Sequence, residues 1–420
     1  MKLNKQKLFS LIDLIIPAVL LVSVVECYFG IWRLATLVKL CSIVISLLML
    51  CKGYFKQSNI AFSLFFFLLL LSPISYLYNG RPIECLSNDM MNTIPAMLFF
   101  WIGLNDQREN RNFYDYMMYI GSGILALGIV CYVLTPGWYT NSLLEANNAS
   151  QFNSFEYTED ALLESLRFSS FFEDSYPVSL FSVYILSISL FNYFRTDVRL
   201  KFSALCVLVS FIAAILCMHR VSIASAVLIV LAFIGYECIK GKGGKIIRVF
   251  LSVAVVILLS SLFFETIQER LLSLLDMLTL RTEDMTFSSA YNERQGLSNK
   301  LMAQWSYPIF GHGIGSGGPT SRFLGYGGVT DAAYTKLLFE NGIMGIILFV
   351  ILILSSIFRG LKNFKYYIVE LSIICFVAIA MTGSNTLSLA YLYILPFWYM
   401  LGKIWNKPYL KYLRENNIKI

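Results

Sequence analysis

Four arginines, a histidine and a run of glycines gather in one polar stretch, Glu265 to Asp331, of a chain that is otherwise almost continuously apolar. The arginines are Arg270, Arg281, Arg294 and Arg322, and they flank Pro308-Ile309-Phe310-Gly311-His312-Gly313-Ile314-Gly315. Guanidinium groups stay charged and bind phosphate oxygens through two parallel hydrogen bonds. Two or three of them converging on one pocket suit a pyrophosphate. A fifth, Arg220, follows the apolar run Ile215-Leu216-Cys217-Met218 and precedes Val221-Ser222, with hardly any loop around it. An arginine there either snorkels to the membrane interface or binds an anion. Arg294, taken alone, reads as a solvated helix face or as a second anion ligand.

The glycine-rich segment 311–318 is incompatible with regular structure. It fits either a flexible re-entrant turn or a nest of backbone amides facing an anion, with Gly311, Gly313 and Gly315 as its open positions. His312 between two of them is either structural or a group that titrates near neutrality. Asp331 and Tyr334 stand where the chain turns apolar again, one helical turn apart. Asp331 reads as a helix N-cap or as a general base beside the arginines. Glu340 and Asn341 fall a turn or two further on, as a polar pair facing the interior of a helix bundle.

These residues must be positioned by membrane-spanning helices. Of 420 residues, 57% are hydrophobic and 14% charged, with mean hydropathy +0.66. Soluble domains carry roughly 25% charged residues, which excludes a large soluble protein. Spans of about 20 apolar residues are predicted at 8–28, 34–51, 59–78, 91–104, 115–135, 175–193, 202–218, 222–239, 246–264, 333–358, 366–382 and 386–403. The first is read as an uncleaved span rather than a signal peptide, because no small-residue cleavage site follows it. The fold class is therefore all-α: one integral membrane domain over 1–420, of about 12 transmembrane helices, with a large outer loop carrying short helices.

With the N-terminus inside, the short inner segments hold 22 of the 33 basic residues, as the positive-inside rule requires. The net charge of +7 is then topology and implies no nucleic-acid partner. Both termini fall in the cytoplasm. Two large loops face outward, 136–174 and 265–331. The first is acidic, with seven carboxylates against Arg167; it is either a solvated loop or a complement to the basic stretch. In the second, apolar residues recur at helical spacing over 266–280 and 290–305, predicting two short helices ended by Pro308. The cysteines lack metal-ligand spacing and only two histidines exist, so no metal and no cofactor is expected.

The stretch Pro308-x-Phe310-Gly311-x-Gly313-x-Gly315, then Asp331-x-x-Tyr334, Leu337-Leu338, Glu340 and Gly342-x-x-Gly345, resembles the signature of the O-antigen ligase and polymerase superfamily. Arg220-x-Ser222 and Arg294, eleven residues before Trp305, resemble the arginine motifs of these bacterial envelope glycosyltransferases. The resemblance covers about 50 residues. Ligases carry a histidine at the re-entry point where this chain reads Asp331-Ala332-Ala333, which favours the polymerase branch.

The resemblance implies an enzyme of the bacterial cytoplasmic (inner) membrane, with its active site on the periplasmic or exterior side. Its donor and acceptor are glycans on undecaprenyl pyrophosphate, and membrane lipid and a chain-length regulator protein are further partners. Lipid pyrophosphate leaves as the acceptor hydroxyl attacks, so no metal is required. On this reading Arg220 and Arg294 stabilise the pyrophosphate, Asp331 or His312 is the base, and Arg322, Tyr334, Arg281 and the three glycines contact sugar or phosphate. The rivals are a ligase of the same superfamily and a transporter of lipid-linked oligosaccharide. A transporter predicts charged residues within several spans; these look scarce, Lys39 and Glu370 being the ambiguous cases.

Overall fold

The computed structural model describes residues 9–11, 13–15, 17–18, 34–78, 83–109, 111–134, 136–142, 168, 170–171, 175–195, 200–217, 219–239, 306, 309–318, 321, 332–382 and 391–415. Every regular element among them is a helix: α1 (Leu34–Cys51), α2 (Ile60–Tyr78), α3 (Ile83–Asn105), α4 (Arg111–Leu134), α5 (Ser175–Arg195), α6 (Leu200–Leu216), α7 (Arg220–Ile239), α8 (Ala333–Lys362), α9 (Phe364–Ala380), α10 (Tyr391–Trp405) and α11 (Lys407–Glu415), with a short helical piece at 137–142. Helices α1 to α10 stand where ten of the expected spans were placed. The span at 246–264 lies outside the described residues, and the first is described only in part, as helix.

Among the described residues, three segments are long and apolar enough to cross a membrane: Asn112–Leu134, Tyr176–Phe194 and Ala333–Lys362. Their surroundings fit lipid. On α8, Ile347, Ile351, Leu354 and Phe358 form an exposed stripe at helical spacing, and α2 exposes Phe67, Leu70, Leu71 and Ile74. Contiguous apolar faces of this kind are a liability in water and the expected surface against acyl chains.

The chain divides into two compact units, Met117–Glu293 and a second made of Met1–Tyr116 with Arg294–Ile420. In the first unit α5 is the core helix, and its buried Ser182 and Ser187 return their hydroxyls to Ser179 O and Val183 O. This is how a helix buries hydroxyls without leaving them unpaired. Helix α6 ends at Leu216 and α7 begins at Arg220, so the tight connection predicted around Arg220 is present. Of the acidic loop 136–174, the described part is tied down: the Tyr139 hydroxyl donates to Ser170 O at 2.8 Å, and the Phe168 N–H donates to Leu216 O.

In the second unit α3 and α10 pack closest. A Cβ on Gly103 would lie 2.1 Å from Tyr399 O, and one on Gly402 would lie 2.1 Å from Phe100 O. Small residues that let backbones touch are how helices associate where lipid removes the hydrophobic drive. Phe62 of α2 stacks on Phe100 at 3.8 Å, closing the layer.

At the C-terminal ends of α3 and α10 lies a buried polar network. Asp106 accepts from Arg108 Nε and Nη2 and from the Tyr399 hydroxyl. Arg108 Nη1 also pairs with Asp13 at 2.9 Å. Lys403, fully buried, donates to Asp106 O and Arg108 O at 2.7 Å each and sits 4.0 Å from the centre of the Tyr409 ring. Burial alone would raise the Asp106 carboxyl, but the Lys403 charge and the Arg108 hydrogen bonds hold it below its ordinary value.

Candidate functional site

The opposite end of the same unit carries the glycine-rich segment. Asp89 stands 17 residues before Asp106 on α3, about 25 Å along the helix at 1.5 Å per residue. Here α8 is broken. Gly342 has φ 65° and ψ −169°, a conformation that L side chains rarely adopt, and a Cβ there would lie 2.2 Å from Ile309 O. The break releases backbone groups that a continuous helix would pair internally. The loop takes them up: Phe339 O accepts His312 N–H at 2.9 Å, Glu340 O accepts Gly313 N–H at 2.8 Å, and Met344 N–H donates to Ile309 O at 3.3 Å. Irregular backbone is tolerated in a membrane-spanning helix where protein covers it. Residues 311–318 are all buried, and Gly311, Gly313 and Gly315 take φ of 73°, 92° and 90°.

The loop amides face an anion that belongs to the protein. Glu340 Oε1 accepts the Gly315 and Gly317 N–H groups at 3.0 Å each. The Ile314 N–H is taken by Ser72 Oγ of α2, and the Ser316 N–H by Gly313 O. Lys336, one turn before Glu340, places Nζ 3.7 Å from Glu340 Oε1 and 2.5 Å from Asp89 Oδ2 of α3. Asp89, Lys336 and Glu340 are 2, 4 and 4% exposed. Two carboxylates and one ammonium, all buried, are thus held by direct contacts and by the loop. The interior-facing Glu340 and Asn341 agree with the sequence reading. Asp89, Lys336 and Glu340 add three buried ionisable residues within long helices to the ambiguous cases Lys39 and Glu370.

His312 is 5% exposed, stacked on Phe339 at 4.4 Å, and its Nε2 accepts the Ser306 N–H at 3.1 Å. Tyr334 is half-buried and donates its hydroxyl to Ala378 O of α9 at 2.9 Å. The N-cap of α8 is Ala332, with no side-chain cap bond, and not Asp331; the Ala333 N–H is satisfied by Met381 O at the end of α9. The helix start docked on another helix end therefore needs no capping carboxylate.

The structure thus brings Gly311, His312, Gly313 and Gly315 together on α8, with Tyr334 at the start of that helix. Arg281, Arg294, Arg322 and Asp331, with the predicted helices 266–280 and 290–305, lie outside the described residues. Arg220 opens α7, and its side chain is likewise outside them. Beside it, His219 packs edge-on against Tyr176 at 5.5 Å and Ser222 is buried. Asp89 and Lys336 were not singled out from the sequence. The spacing of Lys336 and Glu340 at i and i+4 was the available signal for one of them; nothing local marks Asp89.

A small cavity of about 20 Å³ opens beside the triad, lined by Thr93, Lys336, Glu340, Asn341 and apolar neighbours that include Ile314 and Trp398. No protein-family model matches the chain, and no curated protein matches it.

Proposed function

We propose that the chain is a polymerase that joins undecaprenyl-pyrophosphate-linked oligosaccharide repeat units into O-antigen or a related surface polysaccharide. It would do so as a membrane of about twelve spans, with both termini in the cytoplasm and the 265–331 loop on the outer face. The observation that carries this reading is the way the signature stretch folds: 309–318 docks into the break of α8 at Gly342 through Phe339, Glu340 and Met344. Motif residues 30 positions apart in sequence are hydrogen-bonded to one another, on either side of the polar sequence 319–331. A rigid base under a polar loop is what preorganised electrostatic catalysis needs.

Arg220 supports the reading from the other unit. It is the first residue of α7, where the positive end of the helix dipole disfavours a cation. An arginine placed there gains from an anionic partner such as a pyrophosphate. With His312 Nε2 already accepting the Ser306 N–H, Asp331 is the better base of the two candidates. The acceptor hydroxyl attacks the anomeric carbon, its proton passes to the Asp331 carboxylate, and the lipid pyrophosphate leaves with the bonding pair.

The test is complementation of a deletion strain with Arg220→Ala and Arg294→Ala, read as the glycan ladder on a gel. Both variants should give a single repeat and no ladder; full ladders at normal protein levels would sink the site. The ligase alternative is separated by the deletion itself, since losing a ligase leaves the lipid core bare, whereas losing a polymerase leaves one repeat. A transporter gains from the buried Asp89, Lys336 and Glu340, because ionisable residues in spans often mark ion pathways. That reading stays second because the signature stretch resembles glycosyltransferases and not transporters.

A further inference from the structure

Asn341 is 1% exposed, and neither its Nδ2 nor its Oδ1 has a hydrogen-bond partner among the described residues. It sits one residue before the break at Gly342 and lines the cavity with Thr93, Lys336 and Glu340. Leaving both ends of a buried amide unpaired is costly, because each group loses its water without gaining a partner. The cavity measures about 20 Å³, and a single water needs at least about 10–15 Å³ together with two to four polar partners. The volume suffices, and Thr93, Lys336, Glu340 and Asn341 are the polar residues that line it. The other lining residues, Phe65, Leu69, Met97, Ile314, Ala333 and Leu337, have apolar side chains, and Trp398 carries one indole N–H donor.

We propose that this cavity is a built binding site for one water molecule, held by the Asn341 amide and by the Lys336–Glu340 pair. The choice among small ligands follows from Asn341 itself. Its amide lacks an acceptor for Nδ2–H and a donor for Oδ1, and water supplies both, whereas a metal cation satisfies only the oxygen. Lys336 lines the same space, and its ammonium, held by Asp89 and Glu340, also disfavours a cation nearby. The bound water would complete the polar shell of the triad, giving Glu340 a neighbour that can exchange a proton. The inference does not depend on glycosyl transfer.

The experiment compares the melting temperature of the full-length protein in lipid nanodiscs with those of Asn341→Leu and Asn341→Ser, alongside a high-resolution density map of the wild type. A bound water predicts a spherical peak within hydrogen-bonding distance of Asn341. It also predicts a lower melting temperature for the leucine variant, which strips the water of its partners, and a smaller fall for serine. A rise with leucine would mean that the wild-type cavity is dry. So would an empty cavity in a map that resolves other buried waters. Either result overturns the proposal. Melting in sodium or potassium chloride against choline chloride at equal ionic strength should give the same value; stabilisation by either metal would assign the site to a cation and overturn it too. If the leucine variant does not fold, the map and the salt comparison still decide. Glycan ladders are not read in any arm, so a failure here leaves the polymerase reading where it stood.

Discussion

The two ends of the Met1–Tyr116 and Arg294–Ile420 unit bury charge in opposite ways. At the Asp106 end, two carboxylates face two cations, and the groups are held by hydroxyl, carbonyl and aromatic contacts, with Arg108 still 28% exposed. At the Asp89 end, two carboxylates share one lysine, the second carboxylate leans on loop amides, and an adjacent amide has no partner among the described residues. The first arrangement fastens helix ends. The second leaves hydrogen-bonding capacity and space, the usual marks of a site that does something besides hold together. A helix bundle can afford such a cluster at one end when the other is tightly closed.

The largest effect should come from Lys336→Met, which leaves Asp89 and Glu340 buried without their cation. Breaking a buried pair from one side costs about 3–5 kcal/mol, so the variant should largely fail to reach the folded membrane fraction, as judged by size-exclusion profile and melting. If it melts like wild type, the contrast between the two ends is wrong. Next, Gly342→Ala should cost about 1–3 kcal/mol from overpacking alone, with added strain from its positive φ, because the clash is with the Ile309 backbone. Thermal melts would measure it; a neutral result would mean that the loop does not seat in the break.

Glu340→Gln should cost less. It keeps an oxygen for the Gly315 and Gly317 amides and loses only the charge, and hydrogen bonds to charged groups contribute about 1.5–3 kcal/mol against about 1 for neutral ones. Protease nicking within 306–318 should rise modestly, and no rise would separate Glu340 from the loop.

Acid titration sharpens the other end. Because Asp106 is held below its ordinary value in the folded protein, its contribution is present above the unfolded carboxylate pKa and is lost as pH falls through the folded one. The stability gap between wild type and Asp106→Asn should therefore close on acidification. A gap that persists at the acid extreme would trace the effect to packing. The smallest effect belongs to the exposed Lys411–Glu415 pair, 3.6 Å apart: Lys411→Ala should change stability by no more than about 0.5 kcal/mol.

Much of the helix layout was legible, because apolar runs of span length can do little else in a chain this hydrophobic. The misread boundary is instructive. Helix α3 was predicted to start near residue 91 and begins at Ile83. Its first two turns carry Glu84, Asn88 and Asp89, polar residues that a hydropathy window assigns to a loop, although Asp89 is buried against Lys336. The same blindness hid the triad: a buried charge in a span is recognisable only with its partner, and Asp89 lies 247 residues from Lys336. The glycine segment was legible as irregular backbone, but what its amides face was not, since a nest looks the same whether its anion is a ligand or Glu340. The spacing Gly342-x-x-Gly345 was read as a motif; only the φ of Gly342 shows it to be a break.

That break also has a bearing on how the chain is made. A nascent segment Ala333–Lys362 can enter the bilayer as one straight span, because each released backbone group has a helical partner until the loop arrives. Residues 309–318 leave the ribosome earlier and must wait for it. Docking of the loop then trades helical bonds of α8 for tertiary ones, so the bend at Gly342 is expected to follow the synthesis of α8 rather than accompany it. Chains truncated just after Lys362 would test this order, since they contain both partners and should already resist proteolysis at 309–318.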